Sequence, residues 1–289
     1  MLKEFKDKFP SWVFEDGDYT VCLSDDLDSL VGASILKHVK GWEIKHFYDF
    51  HNLYSMEKDN RKAVGVDIAL ENGMTFDNHV TRLSKNDRVN TLSANPNVIE
   101  NISRENYTEK YAMSTTLLMW SLFDIPLPET DEGKLLLLSI DSSYQGHYNE
   151  KFKSVQNGWL KKLGFEELID IQNTYTLKDF ADVKKKYNSS LKIGFDRNGV
   201  LIPKKDRHGN MMNIEAISEI LNLKIELPKN TFYLRKCFFS TEINLYKNKY
   251  FSKEEIEKKN DNEIFSLALT KKFKISLTYK FTPIGETND

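Results

Sequence analysis

Short apolar runs alternate, along the first half of the chain, with longer stretches whose apolar residues recur every three or four positions. Tyr19 to Leu23 is the first run and predicts a strand. Leu30, Val31, Ala33, Ile35 and Leu36 then fall at helical spacing, to about Val39. Trp42 to Phe50 alternates, with Ile44, His46 and Tyr48 set against Lys45, Phe47 and Asp49, and predicts a second strand. Lys62 to Ile68 and Leu135 to Ile140 are short, continuous apolar runs of the kind buried in parallel sheets. Tyr111 to Phe123, apolar at 113, 117, 118, 120 and 122, predicts a helix packed on the sheet and ended by Pro126 and Pro128. Strands separated by helix-length segments predict βαβ units, hence an α/β fold with a mostly parallel sheet flanked by helices.

The texture changes further on. Asn149 to Leu168 and Leu177 to Tyr187 predict helices, and Lys184 to Lys186 reads as a solvated helix end. Leu191 to Asp196 and Gly199 to Pro203 predict a hairpin whose turn signal is Asn198-Gly199. Asn213 to Leu221 and Lys253 to Leu269 predict helices; Lys224 to Leu227, Phe232 to Glu242 and Phe273 to Phe281 predict strands. The expected organisation is an α/β domain over 1–150, a helical connector over 151–189, and a smaller α+β accessory domain over 190–289. Residues 1–17 form an amphipathic lead-in carrying Phe5, Phe9, Trp12, Val13 and Phe14.

Acids sit where these strands end. Asp25, Asp26 and Asp28 follow the first run, Asp67 ends the run at 62–68, and Asp141 follows the run at 135–140. Phe76 to Val80 reads FDNHV, placing Asp77, Asn78 and His79 together. Open α/β sheets hold ligands at the carboxyl ends of their strands. Crowded carboxylates repel, so either one stays protonated or a cation sits among them. A helix cap, with Ser24 or Asp25 as N-cap and acids in the first turn, accounts for part of the first cluster. Oxygen and imidazole donors of this kind suit Mn, Mg, Zn or Fe.

The order and spacing of these residues resemble the DHH phosphoesterases, a superfamily of RecJ-type exonucleases, oligoribonucleases, cyclic-dinucleotide phosphodiesterases and family II pyrophosphatases. Asp26-Leu27-Asp28 matches the first motif, Asp67 the second, Asp77-Asn78-His79 the third and Asp141 the fourth, over roughly residues 18–150. The resemblance implies two divalent ions, Mn²⁺ or alternatively Mg²⁺, bridged by Asp67, with Asp26 on one ion and Asp28 and Asp141 on the other. Two such ions about 3.5–4 Å apart activate a water and stabilise phosphoryl oxygens. Asp77 and His79 would be the catalytic pair, with His79 on the scissile phosphate.

This chain departs from the family twice. Asn78 stands where a metal-ligating histidine is expected, and a neutral amide is a poorer ligand for a transition metal. Cys22, Ser24 or Asp25 would have to supply the earlier ligand of the first motif, and His147, six residues past Asp141, is a candidate substitute imidazole. The Gly-rich substrate grip of the family's second domain has no counterpart. Arg197, Arg207, His208, Arg235 and Lys236 are the basic candidates for a replacement.

The implied reaction is hydrolysis of a nucleotide-derived phosphodiester: a short oligonucleotide, a single-stranded end or a cyclic nucleotide. The rival reading is a degenerate member that binds a nucleotide or a protein without turnover.

Bulk properties bound these readings. The 289 residues carry 40% hydrophobic and 12% aromatic content, enough for a buried core. No apolar run approaches membrane-spanning length, and the first residues lack an apolar signal core. With two cysteines only, Cys22 and Cys237, no disulfide framework is implied and a cytoplasmic setting is expected. The Lys- and Asn-rich wording points to a bacterium or its virus. Net charge is −2, which argues against a strongly basic nucleic-acid coat. It divides unevenly: from residue 190 onward there are 18 Lys and Arg against 13 Asp and Glu, and before it 23 against 30. An acidic first part suits metal ions, and a mildly basic second part suits an anionic substrate.

Overall fold

The computed structural model describes residues 1–57, 59–248, 250 and 252–280. A short helix α1 (Lys3–Lys6) and a 3₁₀ turn at Ser11–Val13 seat Phe5, Phe9, Trp12 and Val13 in the main core. β1 (Thr20–Leu23) is buried throughout and leads straight into α2 (Leu27–Lys40). Asp26 caps α2 by accepting the Ser29 N–H at 3.2 Å, and Gly41, at φ 70°, closes it in a left-handed cap. β2 (Glu43–Tyr48) turns back into β3 (Asn52–Ser55), a strand the sequence pattern did not separate from its neighbour. β4 (Ala63–Val66) is followed by two very short strands, β5 (Thr75–Phe76) and β6 (Ser93–Ala94), then by α3 (Pro96–Ile99) and α4 (Thr115–Leu122).

The next segment corrects an expectation. Leu135 to Ile140 is helical, within α5 (Asp131–Ser139), not a strand. Thr130 caps it by accepting the Gly133 N–H, and Asp131 and Glu132 fill its first turn. All four leucines from 135 to 138 are buried. A helix covered on all sides reads as an unbroken apolar run, just as a buried strand does. The expected helix at 149–168 is two, α6 (Glu150–Leu163) and α7 (Glu167–Thr174), parted by Gly164 at φ 76°. α8 (Leu177–Tyr187) follows as expected.

The hairpin forms as expected from β7 (Ile193–Phe195) and β8 (Leu201–Pro203), a separate two-stranded sheet. After α9 (Ile214–Ile220), Lys224 to Leu227 is irregular rather than a strand. β9 (Tyr233–Asn244) is twelve residues long and runs into α10 (Leu245–Asn248). α11 (Lys253–Asn260) stops where Asp261 takes φ 48°, and the rest of the expected helix is β10 (Ile264–Lys271). β10 alternates buried and half-exposed positions, so strand periodicity won there. β11 (Lys274–Lys280) completes the described fold; Phe281, expected to end it, lies outside the described residues.

Nine strands make one curled sheet in the order β10-β11-β9-β3-β2-β1-β4-β5-β6. The half β2-β1-β4-β5-β6 is parallel, and the rest is antiparallel. β9 joins the halves, pairing through its first part with β3 and through its second with β11. The strands expected in an accessory domain therefore continue the main sheet.

The sheet then curls onto itself. The Leu267 N–H donates to the Ala69 carbonyl at 3.0 Å, and the Leu269 N–H to the Val80 carbonyl at 2.9 Å. A buried ion pair, Lys253 Nζ to Glu71 at 2.5 Å, pins α11 beside this closure. No described helix is long and apolar enough to cross a membrane.

Candidate metal centre

The carboxyl ends of β1, β4 and β5 lie side by side because the three strands pair in parallel with in-step register: Cys22 opposite Gly65, Gly65 opposite Thr75. Each therefore delivers its following residues to one rim. Beyond β1 come Asp25, Asp26 and Asp28; beyond β4, Asp67; beyond β5, Asp77, Asn78 and His79. Ligand atoms of Asp67, Asp77 and His79 all lie within 4.8 Å of one another.

Each side chain is held. Asp67 sits at φ 58°, an uncommon backbone for aspartate, and accepts the Thr115 hydroxyl at 2.8 Å. Both carboxylate oxygens of Asp28 accept backbone N–H groups at the start of α4, from Thr115 at 2.8 Å and Thr116 at 2.6 Å. One acid of the first motif thus also caps a second helix, with lone pairs to spare for a cation. Asp77 accepts from Asn95 at 2.8 Å and holds His79 Nδ1 at 2.7 Å. This carboxylate–imidazole contact orients the ring and leaves Nε2 for a ligand. Asn95 also donates to the His79 carbonyl, and Asn97 to those of Asn78 and Tyr111, so the Asn95-Pro96-Asn97 turn is a scaffold under the third motif. Asn78 Nδ2 donates to the Met113 carbonyl at 2.8 Å and reaches Asp141 at 3.4 Å. Asp141 arrives from the end of α5, so a helix delivers the fourth acid where a strand was expected.

The electrostatics show how close these groups are. Burial, followed by the charges of Asp67 and Asp26, pushes Asp28 well above the usual carboxylate range. Burial and then Asp26 push Asp67 up to about 7. At His79, burial disfavours the imidazolium, but the charge and hydrogen bond of Asp77, with Asp67 and Asp141 behind, outweigh it and lift the ring to about 10. Carboxylates crowded in this way favour a positive charge among them.

Hard carboxylate oxygens of this kind suit Mn²⁺ or Mg²⁺. At the end of β1 the Ser24 hydroxyl is fully buried with no hydrogen-bond partner among the described residues. Asp28, Asp67 and Asp141 offer carboxylate oxygens here, and Asp26 lies near enough to Asp28 and Asp67 to raise both.

Other sequence candidates lie elsewhere. Cys22 faces away, lining a cavity of about 180 Å³ with His46, Tyr48 and Phe265, and burial pushes its thiol up to about 12. His147, the candidate substitute imidazole, bonds Asn157 through Nδ1 at 2.9 Å and packs its ring on Tyr148, where the 3₁₀ turn after Asp141 docks on α6; no contact with the acids is described. Arg197 is exposed in the β7–β8 turn, Arg207 contacts His208 at an exposed bend, Arg235 donates to the Met56 carbonyl, and Lys236 is exposed on β9. Not one of the five has a described contact with the acids.

The cation that does reach them is Lys192, which sequence reasoning missed. Its Nζ lies 3.0 Å from Asp25 and 3.3 Å from Asp26, and the neighbouring Ile193 N–H donates to the Asp25 carbonyl at 2.7 Å. Lys192 opens β7, and only the docking of that hairpin onto the first motif selects it. Thr115 and Thr116 were likewise invisible, since hydroxyl and N–H donors at a helix start leave no charge signal.

No protein-family model, curated protein or solved structure matches the chain.

Proposed function

We propose that this protein is a divalent-metal-dependent phosphodiesterase acting on a nucleotide-derived substrate, similar in its motifs to the DHH phosphoesterases. The observation that carries the reading is the convergence of Asp28, Asp67, Asp77, His79 and Asp141 on one rim of the parallel half-sheet. Asp26, Asp28, Asp67 and Asp141 would hold the ions, with Asn78 offering its carbonyl oxygen. Bound there, Mn²⁺ or Mg²⁺ supplies Lewis-acid polarisation and charge neutralisation at a phosphoryl group. The chain's own residues do the rest. Asp77 and Asn95 fix the His79 ring so that Nε2 donates to a phosphoryl oxygen. Thr115 and Thr116 hold Asp28 and Asp67 in place against their mutual repulsion. Lys192 balances the outer acids Asp25 and Asp26.

The test is turnover of bis-p-nitrophenyl phosphate and of short oligonucleotides with Mn²⁺, with and without EDTA, by wild type and Asp28→Ala. Metal-dependent hydrolysis lost in the variant is expected; wild type and variant alike without turnover would sink the reading.

A second reading, a binding module without turnover, draws on two contacts. Asn78 ties down Asp141 through its amide, and Lys192 sits beside Asp25 and Asp26 as a counter-charge. Nucleotide binding unaffected by EDTA, with no hydrolysis, would favour it.

A further inference from the structure

The β10–β11 turn and α10 meet at one corner of the molecule. Lys271, Lys272, Phe273 and Lys274 form the turn and its flanks, and Tyr246 and Lys247 lie in α10. The two pieces are tied by the Leu245 N–H, which donates to the Phe273 carbonyl at 2.9 Å. Tyr246 is 79% exposed and Phe273 45%, unusual for large rings. Their centroids are 6.2 Å apart at 72°, and Lys272 Nζ lies 5.9 Å over the Phe273 ring. Lys274 is paired with Glu242; Lys247, Lys271 and Lys272 have no acidic partner among the described residues.

We infer that this corner binds single-stranded nucleic acid, its rings stacking on bases and its lysines taking the phosphates. Exposed aromatics interleaved with lysine are what a sequence-tolerant strand binder needs. The like-charged lysines disfavour a second copy of the chain as the occupant, because a two-fold interface would set them against themselves. A membrane surface is disfavoured too, since two rings offer little apolar area to insert.

The position also fits. β10 runs from beside the candidate metal centre to this corner: Leu269 donates to the carbonyl of Val80, the residue after His79. Lys271 lies two residues further, about 7 Å of strand. A strand held at the corner would lie close to the segment that carries His79, a role that rests on the phosphodiesterase reading, whereas binding itself does not.

The experiment is fluorescence anisotropy with a labelled oligo-dT or oligo-rA of about 12 nucleotides, run in EDTA so that binding is read without turnover. The expected results are binding that weakens with salt, at least a tenfold loss in Tyr246→Ala/Phe273→Ala, and a shallower salt dependence in Lys271→Glu/Lys272→Glu. Thermal midpoints close to wild type would show that these exposed substitutions leave the fold intact. No binding by wild type, variants that bind equally well, or a preference for phosphatidylserine vesicles over the oligonucleotides would overturn the inference.

Discussion

Replacing Asp67 by asparagine should stabilise the metal-free protein, although it removes the residue at the middle of the proposed centre. In the fold the Asp67 carboxyl is raised to about 7 from an ordinary 3.8, by burial and then by Asp26. The native state therefore holds a proton that the unfolded chain releases. The stability this proton contributes is complete below about pH 4, declines as pH rises, and is gone above about 7. At 1.36 kcal/mol per pH unit, the loss over that window is at most about 4 kcal/mol. Asparagine carries no charge to desolvate, tolerates the positive φ of 58° at this position, and can still accept the Thr115 hydroxyl. In EDTA at pH 8, Asp67→Asn should thus melt higher than wild type. At roughly 2–4 °C per kcal/mol for a chain of this size, the gain should be up to about 10 °C. The assay is differential scanning fluorimetry of both proteins in EDTA from pH 5 to pH 8. Wild type should lose stability more steeply than the variant across that range. Adding Mn²⁺ should reverse the ranking at pH 8, since a ligand that binds only the native state stabilises it. A variant that melts lower than wild type in EDTA, or shows the same pH slope, would refute the reasoning.

Three other outcomes are expected. His79→Gln should lower kcat about 10²–10⁴-fold with bound Mn²⁺ little changed, read by turnover and metal analysis on the same samples, because His79 is assigned to the substrate. Lys253→Met should cost about 1–3 kcal/mol in urea unfolding, because it leaves the buried Glu71 carboxylate with only Arg88, 3.3 Å away and shared with Glu257. A disulfide exchange reagent at pH 8 should titrate one thiol per native chain, the exposed Cys237, and two after denaturation, since burial holds Cys22 protonated with its thiol pushed up to about 12.

The parallel half of the sheet was legible because β1, β2 and β4 are apolar runs with a helix-spaced segment between the first two. Their trailing acids followed from the same pattern. Asp141 was found for a partly mistaken reason: the four leucines before it are buried all round, and periodicity does not separate a covered helix from a central strand. β3, β5 and β6 are two to four residues long and leave almost no periodic signal. The curl of the sheet was hidden because it depends on contacts between residues near 70–80 and 264–269, far apart in sequence. The same distance hid Lys192: its role is set by where the β7–β8 hairpin docks, and nothing in LKIGFD distinguishes it from the chain's other lysines. Arg197, Arg207 and His208 stood out by residue type alone, and solvent-facing bends are where such residues normally lie.

The gathering of carboxylates at the rim is tested most directly by metal content. Wild type and Asp67→Asn would be stripped with EDTA, dialysed against micromolar Mn²⁺ and analysed for bound manganese per chain. Two equivalents on wild type and less than one on the variant is the expected result. Wild type that retains no manganese, or a variant that retains as much as wild type, would contradict the claim that these acids exist to hold cations.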